Sequence, residues 1–228
     1  MTAPYKPAQV IPNTLAGVVE PIPYWFVIGG QAVRCFAPYR PSRDVDLGVD
    51  SAVNLDDLVS QLRARGEVEI QERTRDTVHL LWNGIKVSAF VLAHLMAHVE
   101  EKHLDVTGVV ATKLHAILDR GLRRDFFDLY VMLEQHRLGI VAALAAIRKV
   151  YQAPIDDGLL LRALTYFDDA EREAPLPGEG PRDWNIVKDY FLVQVGSVLV
   201  PPIRPLVIQA HIVDVTGLPP GPPDPSQG

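Results

Sequence analysis

The run Asp44-Val-Asp-Leu-Gly-Val-Asp50 alternates acidic and apolar residues. Period-2 alternation marks a strand with one wet face, so Asp44, Asp46 and the strand-end Asp50 are expected on that face. Carboxylates at i and i+2 of a strand stand about 6–7 Å apart at the backbone, so two side chains can converge on one divalent ion. The plainer alternative is the solvated face of an edge strand. Upstream, Tyr24-Trp-Phe-Val-Ile28 is a β-rich apolar run that ends at Gly29-Gly30, and Gln31–Ala37 reads as a short helix stopped before Pro38. Backbone N–H groups at a helix start, aided by its dipole, can hold a phosphate. The chemistry these residues allow is therefore a phosphate cradle beside a metal site.

The elements that must position them follow from periodicity. Asn54, with Asp57 three residues on, resembles a helix start, and Leu55, Leu58, Val59 and Leu62 keep helical spacing up to Gly66. Glu67–Gln71 and Thr77–Trp82 read as strands, and Asn83-Gly84 is a hairpin turn leading into Ile85–Phe90. Four or five strands are expected within 24–91. From Leu92 the period changes to 3.6, with helices predicted at about 92–102, 107–120, 124–136, 139–152, 155–170 and 184–199. The expected fold class is α+β: a small mixed β-sheet with flanking helices over 1–91, a helical domain over 92–200 that closes the cleft, and a proline-rich, partly disordered tail over 201–228. Of 19 prolines, seven fall in 1–41 and eight in 201–228, with none from Ser42 to Ala153, which predicts a regular core with irregular ends. The Gly/Pro stretch Pro175–Pro181 reads as a mobile connection.

Composition narrows the setting. At 228 residues, 48% hydrophobic and 22% charged, the chain is an ordinary globular protein rather than a disordered, collagenous or coiled-coil one. The net charge of −6 argues against an all-over grip on nucleic acid but leaves room for a local basic patch. The single Cys35 cannot form an internal disulfide, and Met1–Gln9 lacks a signal-peptide pattern, so a cytoplasmic protein is expected. The longest apolar runs, Val193–Val200 and Ile140–Ile147, fall far short of the roughly 20 residues that cross a bilayer, so no membrane association is expected.

Gly29-Gly30 followed by Arg40-Pro-Ser42-Arg-Asp44-Val-Asp46 resembles the first motif of the DNA polymerase β-type nucleotidyltransferases, in the branch typified by the AbiEii/AbiGii abortive-infection toxins. Lys113-Leu114-His-Ala116 running to Arg120-Gly121, and then Arg124-Asp125-Phe-Phe-Asp128-Leu-Tyr130, is similar to that branch's second block. The resemblance spans residues 24–134, with a weaker echo around Trp184–Val195. It implies a nucleotidyltransferase that uses an NTP and Mg²⁺ (or Mn²⁺), with Asp44 and Asp46 as metal ligands. It implies Asp44, Asp46, Lys113 and Asp125 as catalytic residues, and Gly29, Gly30, Arg40, Ser42, Arg43, Lys113 and Asp128 as nucleotide-binding ones. An RNA or tRNA acceptor, a cognate antitoxin and a toxin–antitoxin or phage-defence setting are implied with it.

One position departs from the pattern. Polymerase β-type enzymes place a third carboxylate on a later strand, where Ser88 stands in this chain. A serine supplies neither negative charge nor a strong base. Three alternatives follow: Asp125 or Asp128 substitutes, one ion suffices, or the chain is a degenerate nucleotide-binding or protein-interaction module. A transferase acting on a small molecule such as an aminoglycoside is a further alternative. His94, His98 and His103 have spacing that could hold zinc but read better as helix surface. Cys35 reads as a small buried filler. The cluster Lys113, His115, Arg120, Arg123 and Arg124 is either an RNA-backbone patch or a set of helix-end charges.

Overall fold

The fold, taken from a computed structural model, is described for residues 4–42 and 44–200. Short helices α1 (Pro7–Val10) and α2 (Asn13–Val19) precede β1 (Trp25–Val27), α3 (Gly29–Phe36), β2 (Val45–Val49) and α4 (Ala52–Arg63). Strands β3 (Val68–Arg73), β4 (Thr77–Trp82) and β5 (Ile85–Val91) follow, then a 3₁₀ turn (Ala93–His98) and strands β6 (Val99–Glu100) and β7 (His103–Leu104). The remainder is helical: α5 (Val106–Asp119), α6 (Arg123–His136), α7 (Ile140–Tyr151), α8 (Asp157–Ala163), α9 (Asp168–Glu171) and α10 (Asp183–Leu199). The strands form one mixed sheet in the order β3-β4-β5-β2-β1-β7-β6. β2 runs parallel to β5 and antiparallel to β1, so the α+β class read from the sequence holds.

The central strands form because their residues are apolar on both faces or on one. Trp25, Phe26 and Val27 are all buried, while β2 alternates Val45, Leu47 and Val49 inward with Asp46 toward the opposite face. Leu55, Leu58, Val59 and Leu62 of α4 cover the inward face. This helix starts at Ala52, two residues before the predicted start, because the Ser51 hydroxyl accepts the Asn54 backbone N–H. Gly48 leaves the space that the Phe26 ring fills, and a Cβ at that position would overlap the ring.

Three expectations are corrected. The amino-terminal segment is not irregular, since Pro7 opens α1 and α2 follows. Residues 92–102 do not form a helix, and the second half is not all helical. They form the 3₁₀ turn and the first part of a β6–β7 hairpin that extends the sheet beyond β1. Its turn residues, Glu101 and Lys102, take left-handed φ angles of 46° and 66° without glycine or asparagine. Lys102 Nζ donates to the Ile22 carbonyl at 2.7 Å and stands 5.1 Å from the Trp25 ring centroid. These tertiary contacts hold a turn that local sequence does not announce. Finally, the helix expected over 155–170 is broken into α8 and α9.

The helical half packs through α5, α6 and α7, with Leu114, Ile117, Phe126, Leu129 and Leu133 buried. Phe126 is ringed by Phe167, Trp184 and Phe191, which docks α10. The Pro175–Pro181 stretch is anchored at α6: the Glu179 carboxylate pairs with the Arg123 guanidinium and accepts the Leu176 N–H at 2.7 Å. Glu173 accepts the Arg123 backbone N–H at 2.7 Å. The proline-rich tail and its extended segment lie outside the described residues. No helix among the described residues is long and apolar enough to cross a membrane.

Candidate active site

The outer face of the sheet and the α5 flank bound a cleft of about 1060 Å³. On the sheet side stand Asp44, Asp46, Lys86, Ser88, Phe90 and His79; on the helical side Lys113, His115, Arg120, Arg124 and Tyr151; and the segment Glu173–Pro177 forms an edge. Their common face follows from register: Asp46 pairs with Ser88 on β5, and Ser88 pairs with His79 on β4. Asp50 leaves this group, since its carboxylate accepts from the Ser51 hydroxyl at 3.0 Å at the α4 start.

Asp46 is packed against the start of α3. Gly29 adopts φ 61°, and a Cβ there would sit 2.6 Å from Asp46 Oδ2, so glycine is needed both for backbone conformation and for space. At Gly30 a Cβ would stand 2.9 Å from Ser42 Oγ and 3.2 Å from Arg40 Nη2. The loop before β2 therefore crosses directly over the helix start. Gln31, which is buried, pins that loop by donating from Nε2 to the carbonyls of Ser42 and Asp44, each at 3.3 Å. Burial pushes the Asp46 carboxyl above the ordinary carboxylate range, and Asp44 adds to this, while Lys113, Arg120 and Arg124 oppose it. Among the described residues no donor is hydrogen-bonded to the Asp46 side chain. Asp44 is more open, with its side chain 44% exposed and Lys86 Nζ 3.7 Å from its carboxylate.

Behind the cations lie two buried carboxylates. Asp128 accepts from the Tyr39 hydroxyl at 2.6 Å, from Arg40 Nε and Nη2 at 2.9 and 2.7 Å, and from Lys113 Nζ at 2.7 Å. Burial alone would raise its pKa, but the Lys113 and Arg40 charges and their hydrogen bonds hold it below the usual range. Asp125, one turn earlier on α6, accepts from Arg120 Nε at 2.9 Å and Nη2 at 3.1 Å, with Lys113 Nζ 3.6 Å away. Both aspartates are fully buried and neither lines the cleft. They fix the directions of Lys113, Arg40 and Arg120 rather than facing a ligand themselves.

The structure thus gathers Gly29, Gly30, Arg40, Ser42, Asp44, Asp46 and Lys113 on one cleft, with Asp125 and Asp128 beneath it. Arg43 lies outside the described residues. Sequence reasoning missed Gln31, Tyr39 and His79. The first two act through tertiary contacts that spacing cannot announce; His79 was legible only as the position opposite Ser88 across the Asn83-Gly84 hairpin. The remaining candidates separate. His98 Nδ1 lies 3.1 Å from Asp105 Oδ2, whereas His94 tilts against Tyr151, and no metal-like group of three His, Cys, Asp or Glu occurs among the described residues. Cys35 is buried, and burial pushes its thiol up to about 12. Within the basic cluster, Arg123 is committed to Glu179, while Arg120 and Arg124 reach the cleft.

The donor set suits a hard divalent cation. Asp46 is a half-buried carboxylate to which no described residue donates a hydrogen bond, and its neighbour Asp44 opens on the same cleft, so a cation between them would meet oxygen ligands and relieve the Asp44–Asp46 repulsion.

Residues 93–201 match the model of the AbiEii family, described as nucleotidyl transferase AbiEii toxin of a type IV TA system. An uncharacterised protein of Aquifex aeolicus (strain VF5) is 26% identical over 184 residues, covering 77% of this chain and 88% of that protein. The fold is similar to the crystal structure of a candidate nucleotidyltransferase from H. pylori, with a TM-score of 0.54 and 16% identity over 82% of this chain and 92% of the other. Residues 93–201, just under half of the chain, carry Lys113, Arg120, Asp125 and Asp128 and are similar to the AbiEii nucleotidyltransferase toxin family.

Proposed function

We propose that this protein is a Mg²⁺-dependent nucleotidyltransferase that moves a nucleotide from an NTP to an acceptor hydroxyl, with RNA or tRNA as acceptor. In this reading it acts as an AbiEii-like toxin restrained by a cognate antitoxin. The observation that carries the proposal is the opposition, across one cleft, of Asp44 and Asp46 to a cation set whose directions are fixed from behind by Asp125 and Asp128.

Phosphoryl chemistry asks the protein mainly to position the triphosphate and balance its charge. Asp44 and Asp46 would hold Mg²⁺, which supplies charge neutralisation at the phosphates when bound. Arg40, Lys113 and Arg120 supply fixed positive charge that costs no reorganisation at the moment of reaction, since buried aspartates already hold them. Gly29 and Gly30 allow close backbone approach beside Asp46, with Ser42 at the same edge. In this mechanism Asp125 and Asp128 are positioning residues.

Incubating the protein with each α-phosphate-labelled NTP, Mg²⁺ or Mn²⁺ and total RNA, beside Asp44→Ala and Lys113→Ala, tests the proposal. Label transferred by the natural chain and lost in both variants is expected; no transfer with any NTP and either metal would sink it. The second reading is a degenerate nucleotide-binding module, motivated by Ser88 opposite Asp46 where a third carboxylate is expected.

A further inference from the structure

Ser88 leaves the acceptor hydroxyl without an evident base, and neither Asp125 nor Asp128 fills the gap, since both are buried beneath the cations. The next strand offers one. His79 on β4 pairs with Ser88 on β5, which pairs with Asp46 on β2, so the three residues form one row across the cleft floor. His79 Nδ1 lies 2.9 Å from Ser88 Oγ, and the Phe90 ring stands edge-on to the imidazole with centroids 5.6 Å apart at 77°. All four residues line the cleft.

We propose that Ser88 and His79 form a proton relay that serves in place of the missing carboxylate. The inference rests on the transferase reading given above. Adjacent strands are about 4.8 Å apart, so the His79 backbone stands roughly 10 Å from that of Asp46, with Ser88 midway. A hydroxyl attacking a phosphate held at Asp46 is therefore nearer Ser88 than His79. The acceptor oxygen forms its bond to the α-phosphorus as the bond from that phosphorus to the β-bridging oxygen breaks, and pyrophosphate leaves with that electron pair. The acceptor's proton passes to Ser88 Oγ while the Ser88 hydroxyl proton passes to His79 Nδ1. The arrangement requires the imidazole to carry its resting proton on Nε2, with Nδ1 accepting from the Ser88 hydroxyl. Around the imidazole the charged groups lining the same cleft are Asp44 just before β2, Asp46 from β2, Lys86 from β5, and Lys113, Arg120 and Arg124 from the helical side.

Two measurements test it. In transfer assays, His79→Gln and Ser88→Ala each lower kcat by about 100-fold, within the range for a lost general base, while KM for the NTP stays within about twofold. The double variant is no slower than either single one, because the pair acts as a unit. Ser88→Asp in the His79→Gln background restores turnover by placing a carboxylate where the proton is released. Independently of turnover, long-range proton–nitrogen NMR of the histidine side chains reads the His79 tautomer, with an unprotonated Nδ1 expected. A His79→Gln protein with natural kcat, or a protonated Nδ1 in the natural chain, overturns the relay. A natural chain that transfers nothing refutes the transferase reading instead, and the tautomer still decides the relay's resting arrangement.

Discussion

Asp128 supports the cations of the cleft, and its replacement by asparagine is the sharpest test of that arrangement. Asp128→Asn keeps the shape of the side chain but removes the charge that Lys113, Arg40 and the Tyr39 hydroxyl share. Removing one partner of a buried pair typically costs about 3–5 kcal/mol, because the remaining charge is left buried and uncompensated. Here Arg40, 10% exposed in its side chain, loses its carboxylate, whereas the buried Lys113 keeps Asp125 3.6 Å away, so a loss within that range is expected. Against a typical stability of about 5–15 kcal/mol this is a large loss. For a chain of this size each kcal/mol lowers Tm by roughly 2–4 °C, so a fall of roughly 6–20 °C is expected. Tyr39→Phe removes the hydroxyl that donates to Asp128 and accepts from Arg40 Nε, but Arg40 Nε still bonds Asp128, so the cost is smaller, roughly 1.5–3 kcal/mol. The assay is urea unfolding followed by tryptophan fluorescence, with an unchanged slope. The folded Asp128 carboxyl lies below its unfolded value of about 3.9, so its contribution is complete above that pH and is lost as pH falls through the folded value. In Asp128→Asn that acid-side loss disappears. A variant within ~1 kcal/mol of the natural chain, the scale of an exposed pair, would refute the reasoning.

Asp46 works in the opposite sense. Its folded carboxyl is pushed above the unfolded value, so its contribution is favourable at low pH and lost as pH rises through the folded value. Asp46→Asn is therefore expected to raise Tm at neutral pH without metal while abolishing nucleotide transfer, as scanning calorimetry and the label assay would report. Addition of Mg²⁺ raises the Tm of the natural chain in proportion to RT ln(1 + [L]/Kd) but leaves Asp46→Asn unmoved. Gly29→Ala combines a left-handed φ, costing roughly 1–2 kcal/mol, with a Cβ 2.6 Å from Asp46 Oδ2; metal-induced stabilisation should fall along with Tm. Gly48→Ala presses on the Phe26 ring and should cost about 1–3 kcal/mol in urea unfolding.

The parts of this site legible in the sequence were those fixed by local chemistry. The alternation around Asp44 and Asp46 gave their shared face, the paired glycines gave the strand–turn–helix, and Asn83-Gly84 gave the hairpin that brings Ser88 beside His79. Helices α5, α6 and α7 were readable because their apolar faces repeat at 3.6. What stayed hidden depended on tertiary contact. The β6–β7 turn is built from Glu101 and Lys102, whose conformation is held by contacts to the Ile22 carbonyl and the Trp25 ring. Likewise, spacing places Asp125 and Asp128 on one helix face but cannot say that Lys113, Arg40 and Arg120 surround them. That Gln31 holds the loop before β2 also depends on chain crossing, which no motif records.

The most direct test of the central claim is a crystal structure of the protein with Mg²⁺ and an NTP analogue whose α–β bridge cannot be cleaved. The account predicts electron density for the ion in contact with both Asp44 and Asp46, with phosphate oxygens within hydrogen-bond distance of Lys113, Arg40 or Arg120. An ion or triphosphate bound elsewhere, with Asp44 and Asp46 free of both, would contradict it.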